Sequence, residues 1–257
     1  MRTQRTTGLS AEQFAELCRL VLAKLGSWTR GRGRPNLLSL GQAVKVTVMY
    51  EKNNVTEEFL GELFGVSQPT ISRAINKVEA IIADVLAEFV SHPDDVPDGI
   101  VVLVDGTLTP CWSWADAPDL RSGKHKTTGH NHQVGAGLDG RLLFITDPLP
   151  GKTHDARAFR DNGLDKHLNA PNGFGDKGYL GTGLITPFRK PPGGELLAWQ
   201  KEFNATVNSF RAAVERAIAN VKTWRILHTD YRRPWSTYQT AFNAVRGLIF
   251  FRASLEL

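Results

Sequence analysis

The stretch Ile100-Val101-Val102-Leu103-Val104-Asp105-Gly106 places five consecutive apolar residues directly before an acidic residue and a glycine. A short apolar run of this length is typical of a buried β-strand. The core would hold the backbone of such a strand, and Asp105 would emerge at its C-terminal end, where the sites of α/β proteins form. An isolated Asp-Gly pair is also a common turn, so this stretch alone leaves both interpretations open.

Sequence patterns after this stretch predict further strands and helices in a defined order. Residues 133–138 and 141–146 are strand-like and flank Asp139-Gly140, which is a strong hairpin turn. Farther along, the patterns predict a helix over 155–168, strands over 173–176 and 184–186, a helix over 196–227 and a final helix over 235–255. This succession is typical of a ribonuclease-H-like α/β fold, in which helices flank a mixed sheet. We expect that domain over residues 100–257.

The first third of the chain is predicted to be helical. Apolar residues recur at helical spacing from Ser10, a predicted N-cap, to residue 25, and again over 39–52. A short helix over 55–64, a tight turn at Gly65-Val66-Ser67 and a long helix over 68–89 form a helix-turn-helix pattern. Its expected buried contacts are Leu60, Leu63, Val66, Ile71 and Ile75. An all-α helix-turn-helix domain is therefore expected over residues 1–91, followed by a Pro/Asp-rich linker over 92–99.

The second helix of this pattern carries polar and basic side chains that suit DNA contacts. They are Gln68, Thr70, Ser72, Arg73, Asn76 and Lys77. Such side chains bind base edges or phosphates in the major groove, whereas the alternative is a helical hairpin used for dimerisation. Arg32 and Arg34, in an Arg-Gly-Arg-Pro segment, match the core of a minor-groove hook. A basic loop that touches phosphate is the simpler interpretation of those four residues.

The charge is distributed unevenly along the chain. Residues 91–179 carry 9 basic and 12 acidic side chains, whereas residues 180–257 carry 11 basic and 5 acidic ones. An acidic middle next to a positive segment suits a carboxylate metal site beside phosphate-binding surfaces. The two cysteines lie far apart and indicate neither a disulfide framework nor a zinc site. The sequence contains no apolar run long enough to span a membrane, so a cytoplasmic protein is expected.

Two more aspartates follow predicted strands. Asp176 ends the short strand near 173–176, and if that strand pairs in parallel with 100–104, Asp105 and Asp176 reach the same edge and can share cations. The loop after the hairpin opens on the same edge, which makes Asp155 a further candidate ligand, supported by His154. Alternatively, Thr153 and Asp155 only cap the helix that begins there.

Glu215 lies on the long predicted helix, beside its apolar stripe. Val207, Phe210, Val214, Ile218 and Val221 form that stripe. Asn208, Arg211, Glu215 and Lys222 form a polar stripe displaced by about 80° on the helical wheel, which borders the core. Glu215 could then meet the two aspartates, with Arg211 and Lys222 placed to touch phosphate. The alternative is an ordinary surface pair between Arg211 and Glu215.

Oxygen donors on separate elements, without cysteine, favour Mg²⁺ or Mn²⁺ over zinc. Asp105, Asp176 and Glu215 are the predicted catalytic ligands, and Asp155 is an additional candidate. Two such ions about 3.5–4 Å apart activate a water or a 3′-hydroxyl and stabilise the leaving oxygen of a phosphodiester displacement. The residues therefore predict two-metal-ion chemistry on nucleic acid.

Five motifs extend over nearly the whole chain. They are Val104-Asp105-Gly106-Thr107, Ser122-Gly123-Lys124-His125-Lys126, Pro150-Gly151-Lys152-Thr153-His154-Asp155, Gly175-Asp176-Lys177-Gly178-Tyr179-Leu180-Gly181, and Arg211 with Glu215 and Lys222. Together they make the chain resemble the DDE-type transposases of bacterial insertion sequences, of the insertion sequence five type, in the group that is similar to the eukaryotic Harbinger elements. A tyrosine often stands three residues before the arginine in such families, where this chain has Asn208.

The resemblance implies an enzyme that cuts and joins DNA at the terminal inverted repeats of its own element. Double-stranded terminal repeats and target DNA are then its partners, Lys124 and Lys126 are further DNA contacts, and the pairing of two element ends implies a dimer or larger assembly. Two other functions remain open. One is a catalytically silent helix-turn-helix regulator derived from a transposase, and the other is a nuclease that cuts without joining.

Overall fold

A computed structural model of the chain describes residues 3–28, 35–169 and 171–255. It divides into two compact units, which we call the helical unit (Met1–Val90 with Lys222–Leu257) and the sheet unit (Ser91–Val221). The mixed α/β class and the helical N-terminal region confirm the coarse prediction. The limits predicted for the domains, 1–91 and 100–257 around the linker 92–99, stay a prediction. In the structure, residues from both ends of the chain build the helical unit.

The helical unit contains six α-helices among its described residues. They are α1 (Thr3–Thr7), α2 (Ala11–Leu25), α3 (Leu40–Asn53), α4 (Glu57–Phe64), α5 (Gln68–Val85) and α8 (Tyr238–Ser254). Ser10 and Ser39 begin α2 and α3 with capping boxes, as the sequence predicts for Ser10. Helix α5 is central, because it packs against α2, α3 and α8.

The helix-turn-helix prediction is confirmed by α4, α5 and the turn between them. Gly65 ends α4 in the left-handed conformation with φ of 67°, which favours glycine. A Cβ at Gly61 would lie 2.8 Å from the Val66 carbonyl oxygen, so the turn also needs a glycine there. The expected burial of Leu63 is wrong, since it is 44% exposed. On the helical wheel Leu63 lies about 200° from Gly61, and therefore faces away from the turn.

A buried charged cluster joins α3, α5 and the segment before α8 inside the helical unit. Arg233 donates two hydrogen bonds to the Glu79 carboxylate, at 2.6 and 2.9 Å. Glu51 is fully buried beside this pair. Burial, followed by the negative charge of Glu79, raises the pKa of Glu51 well above its ordinary value of 4.5, while Arg233 opposes the shift. The protonated form of Glu51 is therefore favoured by folding.

Replacement of Glu51 by glutamine is expected to change how stability depends on pH. Because the pKa of Glu51 is raised on folding, its contribution is complete below about pH 4.5 and is lost as the pH rises through the folded pKa. The slope is at most about 1.4 kcal/mol per pH unit. Urea unfolding from pH 4.5 to 8 should show wild type losing stability relative to Glu51→Gln. A difference that does not change with pH would contradict the assignment.

Among its described residues, the sheet unit is built on six strands and two α-helices. The strands are β1 (Val102–Pro110), β2 (Arg121–Ser122), β3 (Thr127–Ala136), β4 (Leu142–Ile145), β5 (Leu149–Pro150) and β6 (Gly173–Gly175), and the helices are α6 (Asp155–Asp161) and α7 (Ala198–Lys222). β3 is antiparallel to β1, β2, β4 and β5, whereas β6 is parallel to β1. Ile185 adds a parallel bridge to Phe174. The predicted hairpin is confirmed, with φ of 85° at Gly140.

Strand β1 extends well beyond the apolar run that predicted it. It continues to Pro110 and pairs Asp105 with Val134, so Asp105 lies within a strand, and both its predicted positions, at a strand end and in a turn, are wrong. Antiparallel pairing with the long strand β3 keeps this segment extended. The parallel pairing that would bring Asp105 and Asp176 to one edge is present, because Val104 aligns with Gly175. Asp105 and Asp176 are therefore the next residues beyond the last aligned pair.

The two faces of the sheet pack against different helices. Side chains alternate along β1, so Val102 and Val104 join a buried core with Phe159 of α6. Leu103 lies on the opposite face, where Val207 and Val214 of α7 line the same small cavity. Asp105 shares the face of Leu103, and it therefore points toward α7.

In the part of the chain that the structure describes, no helix is both long and apolar enough to cross a membrane. Neither cysteine forms a disulfide within these residues. Burial raises the pKa of the Cys18 thiol to about 11, which makes that thiol unreactive near neutral pH.

Candidate active site

Asp105 is a nearly buried carboxylate, with only 14% of its side chain exposed. Its Oδ1 accepts a hydrogen bond from the Gly106 amide at 2.8 Å, and its Oδ2 lies 3.4 Å from Nη2 of Arg211. Burial raises the pKa of Asp105, and the negative charges of Asp176 and Asp155 add to this effect, while Arg211 opposes it. Three carboxylates are therefore close enough to repel one another at this end of the sheet.

Asp176 and Asp155 border one small space next to a glycine. Asp176 Oδ1 accepts a hydrogen bond from the Gly178 amide at 2.7 Å. A Cβ on Gly178 would lie 2.8 Å from that oxygen and 3.7 Å from Asp155 Oδ2. A Cβ on Gly106 would lie 2.3 Å from Asp155 Oδ1, which no side chain tolerates. Gly106 and Gly178 thus leave room for the carboxylates to converge.

Asp155 is the first residue of α6, and its carboxylate is held by two partners. Lys124 Nζ lies 2.6 Å from Oδ2, and Asn131 Nδ2 donates to Oδ1 at 3.3 Å. Burial would lower the pKa of Lys124, but the hydrogen bond and charge of Asp155 outweigh burial and raise it. His154 occupies the N-cap position, is exposed and forms no side-chain capping hydrogen bond. Asp155 lies in the first turn, where a negative charge also suits the helix dipole, so both roles expected for it stay predictions.

Glu215 differs from its predicted position at the border of the core, since 61% of its side chain is exposed. The buried face of α7 includes Ala213 and Ala217, each about 160° from Glu215 on the helical wheel, so the packed face is rotated away from Glu215 relative to the predicted stripe. The hairpin explains this rotation, because a Cβ at Gly140 would lie 3.4 Å from the Ala213 carbonyl oxygen. Small side chains on that face let the hairpin turn approach the helix closely.

Arg211 links Glu215 to the aspartates. Its Nη2 lies 3.8 Å from Glu215 Oε1, so the expected surface pair exists, but the contact with Asp105 is shorter. Its Nε is buried and has no hydrogen-bond partner among the described residues. Arg211 therefore retains an unused donor beside the carboxylates.

Lys126 and Lys222 were also predicted to contact phosphate. Lys126 is exposed in the loop before β3, where its φ is 54°. Lys222 is the last residue of α7, is half-buried and is grouped with the helical unit. Burial lowers its pKa.

The predicted recognition residues lie at the start and middle of α5, and some already have partners. Gln68 donates to Glu57, and Asn76 accepts a hydrogen bond from Arg233 at 2.9 Å. Lys77 Nζ lies over the Trp28 ring, 4.8 Å from its centroid. Arg73 is exposed, whereas Thr70 and Ser72 are half-buried. Arg32 and Arg34 lie outside the described residues.

Sequence reasoning missed the polar side chains beneath the carboxylates. Asn131 and Gln133 lie on β3, where nearly every residue is buried. The first half of β3 was not predicted as a strand because its Thr, Gly, His and Asn residues lack an apolar pattern. Four polar residues in a row at 130–133, directly before an apolar strand, are the signal that could have identified them.

The donor set suits a hard divalent cation. Carboxylate oxygens are the ligands that Mg²⁺ and Mn²⁺ prefer, and the space beside Gly106 and Gly178 leaves room for them to converge. Within the described ranges, however, no three acidic, histidine or cysteine side chains are grouped closely enough to hold a metal ion as they stand. Arg211 and Lys124 are paired with the carboxylates instead.

Comparisons with known proteins agree on one family. Residues 104–249 match the family described as DDE superfamily endonuclease, and residues 36–88 match the helix-turn-helix of DDE superfamily endonuclease. A protein of Streptomyces albus G, assigned as the transposase of insertion sequence element IS112, is 32% identical over 86% of this chain and 83% of its own. A protein of Microchaete diplosiphon, assigned as the transposase of element IS702, is 25% identical over 98% of this chain and 95% of its own. No solved structure matches the chain significantly.

Proposed function

The chain belongs to the DDE superfamily endonucleases, and from this premise we propose that it is the transposase of an insertion sequence, which cuts and joins DNA at the terminal inverted repeats. The observation that carries the proposal is the parallel alignment of β1 with β6. This alignment puts Asp105 and Asp176 side by side just beyond Val104 and Gly175. The names of both relatives support the same function.

The sheet unit is proposed to be a ribonuclease-H-like domain. The strand order supports this assignment, because β4, β3 and β1 form an antiparallel series that continues with parallel β6 and the Ile185 bridge. Helices α6 and α7 pack on opposite faces of this sheet. In such a sheet the carboxylates of β1 and of the segment after β6 lie at one edge.

Asp105, Asp176 and Glu215 are proposed to hold two Mg²⁺ or Mn²⁺ ions, with Asp155 as an additional ligand or supporting group. The ions would supply an activated nucleophile and charge stabilisation at the leaving oxygen. Glu215 is exposed, so its side chain can turn toward the aspartates without repacking the core. Lys124 and Arg211 already neutralise Asp155 and Asp105. Both cations are proposed to contact DNA phosphate.

Arg211 is proposed to bind a phosphate beside the scissile bond through the part of its guanidinium that solvent reaches, since its side chain is 36% exposed. Arg211→Ala should slow single-turnover cleavage of a pre-bound terminal-repeat duplex by about a hundredfold, as the loss of a placed donor does at other sites. Because Arg211 is about one-third exposed, its ion pairs should contribute under about 1 kcal/mol to stability. A wild-type cleavage rate in this variant, with an unchanged Tm, would mean that Arg211 forms only surface ion pairs and does not bind phosphate.

DNA recognition is assigned to the helix-turn-helix, with α5 entering the major groove. Arg73 is exposed near the start of α5 and is expected to contact a base or phosphate. Arg73→Ala should weaken binding to the terminal repeat about tenfold or more, the equivalent of 1–3 kcal/mol, and reduce the preference over unrelated DNA. Arg19→Ala on α2 is the matched control, because Arg19 is another exposed arginine of the helical unit. Equal losses in both variants would assign the effect to charge alone.

The wild-type protein incubated with a labelled terminal-repeat duplex, target DNA and Mg²⁺ distinguishes the three open functions. A transposase cuts the repeat and joins it to the target. A nuclease only cuts, and a silent regulator derived from a transposase only binds. The presence of Asp105, Asp176 and Glu215 argues against the silent regulator. Joining of two element ends would also require at least a dimer in the active complex.

A further inference from the structure

A series of hydrogen-bonded, buried side chains leads from Tyr179, through Gln133 and Asn131 on β3, to Asp155. The Tyr179 hydroxyl donates to Gln133 Oε1 at 2.6 Å, and Gln133 Nε2 donates to Asn131 Oδ1 at 3.0 Å. Asn131 Nδ2 then donates to the Thr153 carbonyl oxygen at 2.9 Å and to Asp155 Oδ1 at 3.3 Å. Tyr179 and Gln133 are fully buried, and Asn131 and Asp155 are 8% and 9% exposed.

In this series each side chain donates a hydrogen bond to the next one, from Tyr179 toward Asp155. Because the Thr153 carbonyl oxygen can only accept, the Asn131 amide nitrogen must face Thr153 and Asp155, and the Asn131 oxygen faces Gln133. The Gln133 nitrogen donates to that oxygen, so the Gln133 oxygen faces Tyr179, whose hydroxyl donates to it. A reversal of either amide would place oxygen against oxygen in a buried space, where unsatisfied polar groups are unfavourable. Tyr179 therefore supplies the last donor that this arrangement needs, and its loss leaves the Gln133 oxygen unsatisfied.

This series of hydrogen bonds also connects the two segments that carry Asp155 and Asp176. Tyr179 lies three residues after Asp176, and its amide donates to the Asp176 carbonyl oxygen at 3.1 Å. Its ring packs edge to face on Phe159 of α6, with the ring centroids 5.9 Å apart. Gln133 is aligned with Gly106 on β1, at the glycine that Asp155 covers. Gln133 is thus linked through Tyr179 to the segment of Asp176 and through Asn131 to the segment of Asp155.

Lys124 alone does not fix Asp155 in this way. Its side chain is 52% exposed, and an ammonium group binds as a point charge on a flexible stem. A buried amide on a strand is constrained by its backbone and by its own partners. We propose that Tyr179, Gln133 and Asn131 are positioning residues that hold the Asp155 carboxylate beside Asp176 and thereby set the affinity of the site for a divalent cation. This inference rests on the proposed function.

Tyr179→Phe removes one hydroxyl and keeps the ring in the core, which makes it the most conservative test. Titration calorimetry of the full-length protein with Mn²⁺ should show about tenfold weaker binding, which is the usual lower effect of losing a group behind a metal ligand. The Mg²⁺ concentration that gives half-maximal cleavage should rise by a similar factor. Saturating Mg²⁺ should restore the cleavage rate, because every proposed ligand is still present.

Two further variants make the test decisive. Gln133→Met keeps a similar side-chain volume but can neither accept from Tyr179 nor donate to Asn131, and it should also weaken Mn²⁺ binding. Tyr231→Phe is the control, since Tyr231 is a buried tyrosine of the helical unit whose hydroxyl lies 2.7 Å from Thr237 Oγ1. Wild-type Mn²⁺ affinity in Tyr179→Phe and Gln133→Met, or an equal loss in Tyr231→Phe, would overturn the positioning role alone. A wild-type protein that binds no Mn²⁺ would overturn both this role and the proposed metal site.

Discussion

Replacement of Asp105 or Asp176 by asparagine is expected to abolish DNA cleavage and joining while leaving binding to the terminal repeat nearly unchanged. Each change removes a charge proposed to bind metal without altering side-chain volume, and DNA recognition is proposed to lie in the helix-turn-helix. The loss should reach about a thousandfold, equivalent to about 4 kcal/mol of transition-state stabilisation. Single-turnover cleavage of a pre-bound duplex measures it, with a binding titration beside it.

Glu215→Gln should have the same effect, although Glu215 is much more exposed than the two aspartates. Glu202→Gln is the matched control, because Glu202 is another exposed glutamate on α7, and it is expected to leave cleavage unchanged. If Glu215→Gln cleaves at a rate near wild type, Glu215 is no metal ligand and forms only the surface pair with Arg211. Near-wild-type cleavage by Asp105→Asn or Asp176→Asn would contradict the site as a whole.

Arg233→Ala is expected to cause the largest loss of stability, about 3–5 kcal/mol. The Arg233 side chain is 13% exposed and that of Glu79 only 1%, so the variant leaves Glu79 buried without its counter-charge. The fully buried Glu51 adds a second acidic group to the same space. Arg233 also binds Asn76 on α5, so the helix proposed to recognise DNA loses a support. Denaturant unfolding of the full-length protein measures the effect.

Arg19→Ala is the comparison for this stability measurement. Arg19 forms a 2.6 Å ion pair with Glu16, but the side chains are 64% and 37% exposed. Exposed pairs of this kind contribute under about 1 kcal/mol. A loss in Arg233→Ala no greater than in Arg19→Ala would mean that water reaches the cluster and that the cluster does not hold the helical unit together.

Local chemistry made several elements predictable from the sequence. Gly65 predicted the helix-turn-helix because a left-handed residue ends α4, and Asp139-Gly140 predicted the hairpin for a similar reason. The apolar run before Asp105 predicted β1. In each case neighbouring residues determine the conformation.

Features that depend on distant packing were not predictable in the same way. The polar residues at the start of β3 form a strand because β1 pairs with them, not because of their own pattern. The exposure of Glu215 results from the hairpin turn packing on the alanine face of α7. The C-terminal helix α8 packs on α5 and is grouped with the helical unit, a long-range contact that no pattern in its own residues indicates.

The most direct test of a metal-dependent carboxylate site is cleavage of a terminal-repeat duplex in which sulfur replaces the leaving oxygen of the scissile phosphate. Mg²⁺ prefers oxygen strongly, whereas Mn²⁺ also accepts softer ligands. If a metal ion held by Asp105, Asp176 and Glu215 contacts that atom, the sulfur substrate should be cleaved poorly with Mg²⁺ and much faster with Mn²⁺. Equal slowing by sulfur with both ions, or cleavage that needs no divalent cation, would contradict the proposed site.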